Sequence, residues 1–446
     1  MKKIYIKYGL ICLVFMSFVS CSNDEDAALF SDSPADRIAK SNNELLNVLL
    51  AEPNGYKGVY FTKNDEFGGF TFFMKFNADG TVQMTSDFDA ETDVETSSFD
   101  VRLGTTTELV FTTRNHIQKV SDPDYTGLVG TGFKGTSVFQ YFANENGAIT
   151  FRDVRNKNSA TLTLTPSNFS NFESESIASV EKSLTNRNDF SDSDGVTAFP
   201  FMSIDDGTNV TEYALNYDNV NVFANPKTQS NDGTVSDENF GMAFTEDGII
   251  ISPALDVNGV KLEKFLLDDS ALGIQYIATV GGVTAKIGYG NTPVVPLDPY
   301  DFGVRRNRAW LNYDEPGKSS TAFNNFYADY AAFLENAYGL TIDFILLNNL
   351  NNGQVSTLYF GTNYGAFLFG FDIEVANGIA VLTDNGLSNG VDAGTKTIFQ
   401  PLIDLLLGGP SGFYLNNTGN LEGYSNRTFS MINVADPRFV INYWDE

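Results

Sequence analysis

Residues 69–85 read Gly69-Phe70-Thr71-Phe72-Phe73-Met74-Lys75-Phe76, Asn77-Ala78-Asp79-Gly80, Thr81-Val82-Gln83-Met84-Thr85. An aromatic and β-branched run meets a polar tetrapeptide ending in Asp-Gly, and a second such run follows. Pleated backbone suits those side chains, and Asp-Gly tolerates the positive φ that reverses a chain. The stretch therefore predicts a β-hairpin. The same pattern spreads outward, with strands predicted at 99–103, 107–113, 136–143, 148–152 and 160–165 between Gly, Asn and Asp turns. Many short strands joined this way predict antiparallel barrel-like or sandwich sheets.

Just upstream, Gly55-Tyr56-Lys57-Gly58-Val59-Tyr60 leads into the hairpin. That opening is similar to calycin-type barrels, although Tyr56 stands where those usually carry tryptophan. The resemblance implies a calycin-like N-terminal part. Before it, Ser33 can cap a helix with Pro34 at the first position and Asp36 three residues on. Ile38, Leu45, Leu46 and Leu49 form its apolar face, and Pro53-Asn54-Gly55 ends it.

The second half repeats the pattern. Tyr213–Tyr217 and Gly241–Ile251 read as strands, and Gly241–Ile251 aligns with 74–82 around a shared Asp-Gly, which suggests an internal duplication of the sheet unit. Helices are predicted at 321–338, where aromatic residues recur every three or four positions, and at 397–407. Further strands are predicted at 356–371, 378–382, 428–434 and 438–444. The fold class is mainly β with a few helices, a β-rich α+β protein. The expected parts are an N-terminal β-domain with a leading helix (33–170), a linker with a short helix (171–195) and a C-terminal β-rich domain with two helices (196–446).

The chain has 446 residues, with 56 acidic and 28 basic side chains, a net charge of -28, one histidine and two cysteines. A field of that sign excludes a nucleic-acid backbone as partner. A single histidine excludes a multi-histidine metal centre. Residues 1–20 carry Lys2, Lys3 and Lys7 ahead of an apolar run, a signal-peptide pattern too short to span a bilayer. The run ends in Ser20-Cys21, which resembles a bacterial lipobox, with Phe18 in place of the usual leucine. Cys21 is then the lipidation site. Residues 21–32 form an acidic tether, and Asp24-Glu25-Asp26 resemble a surface-export tag of Bacteroidetes lipoproteins. Loss of the three lysines takes the charge from -28 to -31. The expected location is the outer membrane, lipid-anchored and facing the exterior.

The candidate chemistry is sparse. His116 could act as a general base, but no nucleophile neighbours it in sequence, and a structural histidine is the plainer reading. Asp189, Asp192 and Asp194 before Gly195 suggest a calcium loop, as do Asp205-Asp206 before Gly207. With Gly195 at position six of an EF-hand, Phe190 and Phe201 fall where acids are required, so only a loop of another geometry would serve. Asp256 and Asn258 before Gly259 fail in the same way, with Ala254 and Phe265 in those positions. Arg305, Arg306 and Arg308, beside Trp310 and Tyr313, form a basic cluster that could hold an anionic ligand; neutralisation of nearby acids is the plainer reading. The aromatic stripe of 321–338 reads as core, and Tyr359–Gly365 as the better exposed loop. Asp269-Ser270-Ala271 matches the short pattern of Bacteroidetes O-glycosylation at Ser270.

Finally, Ser33-Pro34-Ala35-Asp36-Arg37-Ile38, Pro53-Asn54-Gly55-Tyr56, Gly68-Gly69-Phe70, Met74-Lys75-Phe76, Met84-Thr85-Ser86-Asp87 and Val120-Ser121-Asp122-Pro123 resemble the Bacteroidetes lipoproteins grouped as domain of unknown function 4302. The Phe244–Gly259 segment resembles that family's second-half signature, and the resemblance covers most of 33–446. It implies an accessory or ligand-binding lipoprotein beside a TonB-dependent outer-membrane importer and its partner lipoproteins, with no catalytic residues to carry over. No cofactor is expected beyond calcium. The alternative is a calcium-dependent or carboxylate-based surface hydrolase acting on glycans, which needs only two facing acids.

Overall fold

The computed structural model describes residues 33–125, 127–191, 199–227, 238–268, 274–295, 297, 307–311, 319–349, 355–389, 391–419 and 428–445. Its strands close into three antiparallel barrels of eight strands each. The first runs from Tyr56–Phe61 to Thr161–Pro166, the second from Phe199–Asp205 to Val283–Gly290, and the third from Asn307–Leu311 to Val440–Asp445. In each barrel every strand pairs with the next in sequence and the last returns to the first, so no edge is left open. The N-terminal part thus has the up-and-down architecture implied by its calycin-like opening. Where one C-terminal domain is expected from residue 196 onward, the chain forms two barrels, because each eight-strand meander closes on itself.

The predicted hairpin sits at the heart of the first barrel. Gly69–Phe76 pairs with Thr81–Ser86, with Phe76 opposite Val82 and Met74 opposite Met84. Gly80 takes φ 83°, and the Asp79 carboxylate accepts the Thr81 N–H at 3.0 Å, which fixes the turn. An eight-stranded barrel is just wide enough for side chains to fill, and aromatic residues do so. Tyr60 meets Phe139 at 5.1 Å and Phe76 meets Phe99 at 5.0 Å. The Gly241–Ile251 hairpin also forms, between Phe240–Thr245 and Gly248–Val257. It joins the fourth and fifth strands of its barrel, whereas 69–86 joins the second and third. The expected alignment therefore does not superpose equivalent strands.

Among the described residues, five α-helices accompany the strands. Helix α1 (Pro34–Leu49) is capped by Ser33, whose hydroxyl accepts the Asp36 N–H at 3.1 Å, and it buries Leu45 and Leu49. Helix α2 (His116–Lys119) is a single turn. Helix α3 (Phe172–Ser191) is longer than the short linker helix expected there. Its polar end stays helical because Phe190 is fully buried among Tyr217, Phe244, Tyr276 and Tyr289, with ring centroids at 5.0–5.8 Å. Tertiary packing overrides local polarity here. Helices α4 (Thr321–Tyr338) and α5 (Ala393–Leu407) belong to the third barrel.

The first two barrels share one continuous hydrophobic core, while the third has its own. Their joint is close. The Gly68 N–H donates to the Asn221 carbonyl at 2.8 Å and the Thr71 hydroxyl to the Phe244 carbonyl at 2.8 Å. A Cβ at Gly68 would lie 2.3 Å from the Val222 carbonyl oxygen, and one at Gly241 2.4 Å from that of Phe67. Both glycines are required by the approach of two backbones. Phe199 meets Tyr414 across the second and third barrels at 5.4 Å.

Candidate functional site

The candidate site is a groove between α4 and α5 on the third barrel. Ser320 caps α4 and Gly339, at φ 66°, ends it; Asp392 caps α5 and Gly408, at φ 72°, ends it. Each helix turns one face inward. Phe323, Tyr327 and Leu334 of α4 are buried, as are Phe399, Leu402, Ile403 and Leu406 of α5. Phe399 packs against Phe360, Phe367 and Phe369 at 5.1–5.5 Å, so α5 is pinned to the sheet.

The aromatic stripe of α4 is wider than its buried face. Successive residues lie about 100° apart on a helix, so the stripe cannot all point at the barrel. Phe333 is 47% exposed and Tyr338 46%. With Tyr330, Thr397, Ile398 and Pro401 they line a groove of about 380 Å³. Tyr330 and Phe333 lie 5.6 Å apart at 38°, and Phe333 and Tyr338 lie 5.8 Å apart at 85°, forming a corner of three rings. The Tyr330 hydroxyl donates to the Ile398 carbonyl and ties one helix to the other. Burial, then Tyr338, holds the Tyr330 hydroxyl above its usual pKa. The core reading of this stripe holds for Phe323 and Tyr327 and fails for Phe333 and Tyr338.

The predicted strand 356–371 is in fact a hairpin, Ser356–Thr362 with Gly365–Ala376, turning at Asn363-Tyr364. Asn363 brings that turn against the end of α4, its amide donating to the Gly339 carbonyl at 2.8 Å and its carbonyl accepting the Thr341 N–H at 3.0 Å. Tyr364 is 65% exposed beside Tyr338, to whose carbonyl its hydroxyl donates at 3.5 Å.

A second, polar cavity of about 290 Å³ lies on the first barrel. Four acids and two bases line it: Lys119 pairs with Asp89 at 3.0 Å and Glu91 at 2.8 Å, Arg114 pairs with Asp122 at 3.3 Å, and Asp124 lies beside them. Behind it, His116 is fully buried. Its Nε2 lies 2.9 Å from the Asp93 carbonyl, which can only accept, so Nε2 carries the proton and Nδ1 accepts from the Ser86 hydroxyl at 3.0 Å. Burial lowers its pKa, with Lys119 adding to the effect. This is a structural histidine. Asp87, next to Ser86, is also buried, and its carboxylate accepts the Thr71 N–H at 2.8 Å. Burial raises its pKa to about 7 against the pull of the Arg187 and Lys57 charges.

The model of a family described as a domain of unknown function, DUF4302, matches residues 26–269. The chain belongs to the DUF4302 family. The match spans the first barrel and runs into the second as far as the strand Val260–Leu267, whereas the resemblance is expected over most of 33–446. The aromatic groove lies outside the DUF4302 match. No curated protein matches. Among solved structures, a DNA polymerase III subunit beta from Borrelia burgdorferi, in complex with a natural product, aligns at 9% identity over 92% of this chain and 97% of that one. Its TM-score of 0.16 carries no argument.

The remaining sequence-predicted residues are scattered. Cys21, Asp192, Asp194, Ser270, Arg305, Arg306 and Tyr313 lie outside the described residues. Arg308 and Trp310 fall on the strand Asn307–Leu311, opposite Asn348 and Leu346. Asp189 is exposed on the last turn of α3. The other suspected calcium ligands serve turns. Asp205 accepts the Gly207 N–H at 2.9 Å, Asp206 accepts Thr208 and Asn209 at 2.8 and 2.7 Å, and Asp256 accepts Gly259 at 2.8 Å. The backbone donors hold Asp206 below the usual carboxylate pKa. Among the described residues no group of three His, Cys, Asp or Glu could hold a metal ion.

Proposed function

We propose that the chain is a surface-exposed lipoprotein and a non-catalytic, ligand-binding accessory of a TonB-dependent outer-membrane uptake system. The lipobox-like Ser20-Cys21, the acidic residues that follow it and the resemblance set out above support the location. The observation that carries the binding role is the open aromatic groove between α4 and α5. Half-exposed rings on a helix surface cost free energy in water, and covering them recovers roughly 25 cal/mol per Å². The barrel interiors are packed with side chains, so a ligand would meet this protein on its helices.

Co-purification from detergent-solubilised outer membranes tests the reading. An importer or partner lipoprotein recovered with the native chain and lost from Phe333→Ala supports it. Recovery of the chain always alone and free of ligand contradicts it. The carboxylate-hydrolase alternative needs two acids facing across a cleft; in the polar cavity of the first barrel, Asp89 and Glu91 are instead held by Lys119 and Asp122 by Arg114.

A further inference from the structure

We propose that the α4–α5 groove recognises a cation, an alkylammonium or guanidinium group, seated in the corner of Tyr330, Phe333 and Tyr338. The inference rests on the reading of this groove as the ligand site and names what it takes. Three observations carry it. The rings form an open corner: Phe333 and Tyr338 stand at 85°, Tyr330 flanks Phe333 at 5.6 Å, and Phe333 and Tyr338 are about half exposed. Aromatic faces carry negative charge density, and ring corners of this kind hold cations. Neutral apolar ligands would also fit, so charge has to decide.

The charge is one-sided. On α4, Asp329 lies four residues before Phe333 and therefore beside it on the same face. On α5, Asp404 lies three residues after Pro401 and therefore one turn along from it on the same side of the helix, where its carboxylate also accepts the Gln400 amide N–H at 2.7 Å. Each wall of the groove thus has a carboxylate at its rim, and both residues are exposed. Helix α4 contains no lysine or arginine, and α5 contains only Lys396, which is turned away into an ion pair with Asp384 at 2.8 Å. Neither helix supplies a base to cancel the rim acids. An anion would face two carboxylates and the negative faces of the rings, and an uncharged ligand would gain from covering the rings but nothing from the charge. A cation gains from both. The third observation is polarity. The Tyr330 hydroxyl is engaged with the Ile398 carbonyl and the Thr397 hydroxyl with the Ala393 carbonyl at 2.8 Å, so two of the three hydroxyls of the lining donate within the protein, and that of Tyr338 is left to meet a ligand. A sugar, which needs several donors and acceptors, is poorly served.

The test compares choline with its uncharged carbon isostere dimethylbutanol, binding each to the full chain and following the aromatic proton resonances at low salt. The expected result is choline bound at least about tenfold more tightly than the isostere, weakened about tenfold by Phe333→Ala or Tyr338→Ala. The double variant Asp329→Asn with Asp404→Asn, which keeps shape and packing, should weaken choline several-fold and leave the isostere unchanged. Higher ionic strength should weaken choline only. Equal binding of the two probes, or choline binding indifferent to the Asn pair, overturns the cation assignment while leaving the groove a ligand site. Binding of neither probe, with a neutral oligosaccharide seated on the same rings, also overturns it. No probe of any class perturbing these rings removes the assignment and the groove reading together.

Discussion

Asp87→Asn should stabilise the body formed by the first two barrels, and by more at alkaline than at acid pH. Asp87 is buried, and burial raises its pKa from 3.8 to about 7 despite Arg187 and Lys57. The fold therefore holds the Asp87 proton more tightly than the unfolded chain does. The stability this contributes is complete below about pH 4 and is lost as pH rises to about 7. The gap of roughly three pH units, at 1.36 kcal/mol each, makes the ionised group cost about 4 kcal/mol. Asparagine keeps an oxygen to accept the Thr71 N–H and removes the charge. The advantage of the variant should grow by nearly 4 kcal/mol between about pH 4 and pH 8. For a body of this size that corresponds to a Tm separation of roughly 8 °C or more, read by scanning calorimetry of both proteins at each pH. A separation that does not change with pH, or that shrinks towards alkaline pH, would refute the reasoning.

Other consequences follow from the same contacts. His116 is buried neutral with a lowered pKa, so its contribution is present above about pH 6.5 and is lost as pH falls; His116→Gln should flatten the loss of stability between about pH 7 and pH 5, measured by denaturant titration. Gly68→Ala drives a Cβ to 2.3 Å from the Val222 carbonyl oxygen and should cost about 1–3 kcal/mol, with hydrogen exchange rising at Gly68 and Met242 first. Phe190→Ala empties the ring cluster at the mouth of the second barrel and should cost about 3–5 kcal/mol, while the transition of the third barrel stays in place. Cys21→Ser should release the chain from the membrane fraction, as seen by fractionation.

The hairpin at 69–86 was legible because its turn and its alternation are both local. Helix α1 was legible for the same reason, through Ser33 and Pro34. The three-barrel arrangement was not, because closure depends on first and last strands pairing across about 80 to 135 residues, which no local pattern records. The exposed loop expected at Tyr359–Gly365 was legible only in part: the turn is confined to Asn363-Tyr364, and Tyr359–Thr362 belong to the strand before it. Phe333 and Tyr338 shared a stripe with buried Phe323 and Tyr327; the width of the stripe was the one available signal, as a core face needs little more than 100° of a helix. The turn acids looked like metal ligands because the Asp-Gly grammar that binds calcium also reverses strands.

The central claim is that this protein meets its ligand or partner on the α4–α5 groove and not on the packed barrels. A photo-reactive phenylalanine analogue at position 333 in living cells tests it most directly, with position 142 on the first barrel, where Phe142 is 57% exposed, as the comparison. The account predicts a discrete cross-linked species, an importer component or a cationic ligand, from position 333 and none from position 142. Cross-linking equal at the two positions, or confined to position 142, would contradict it.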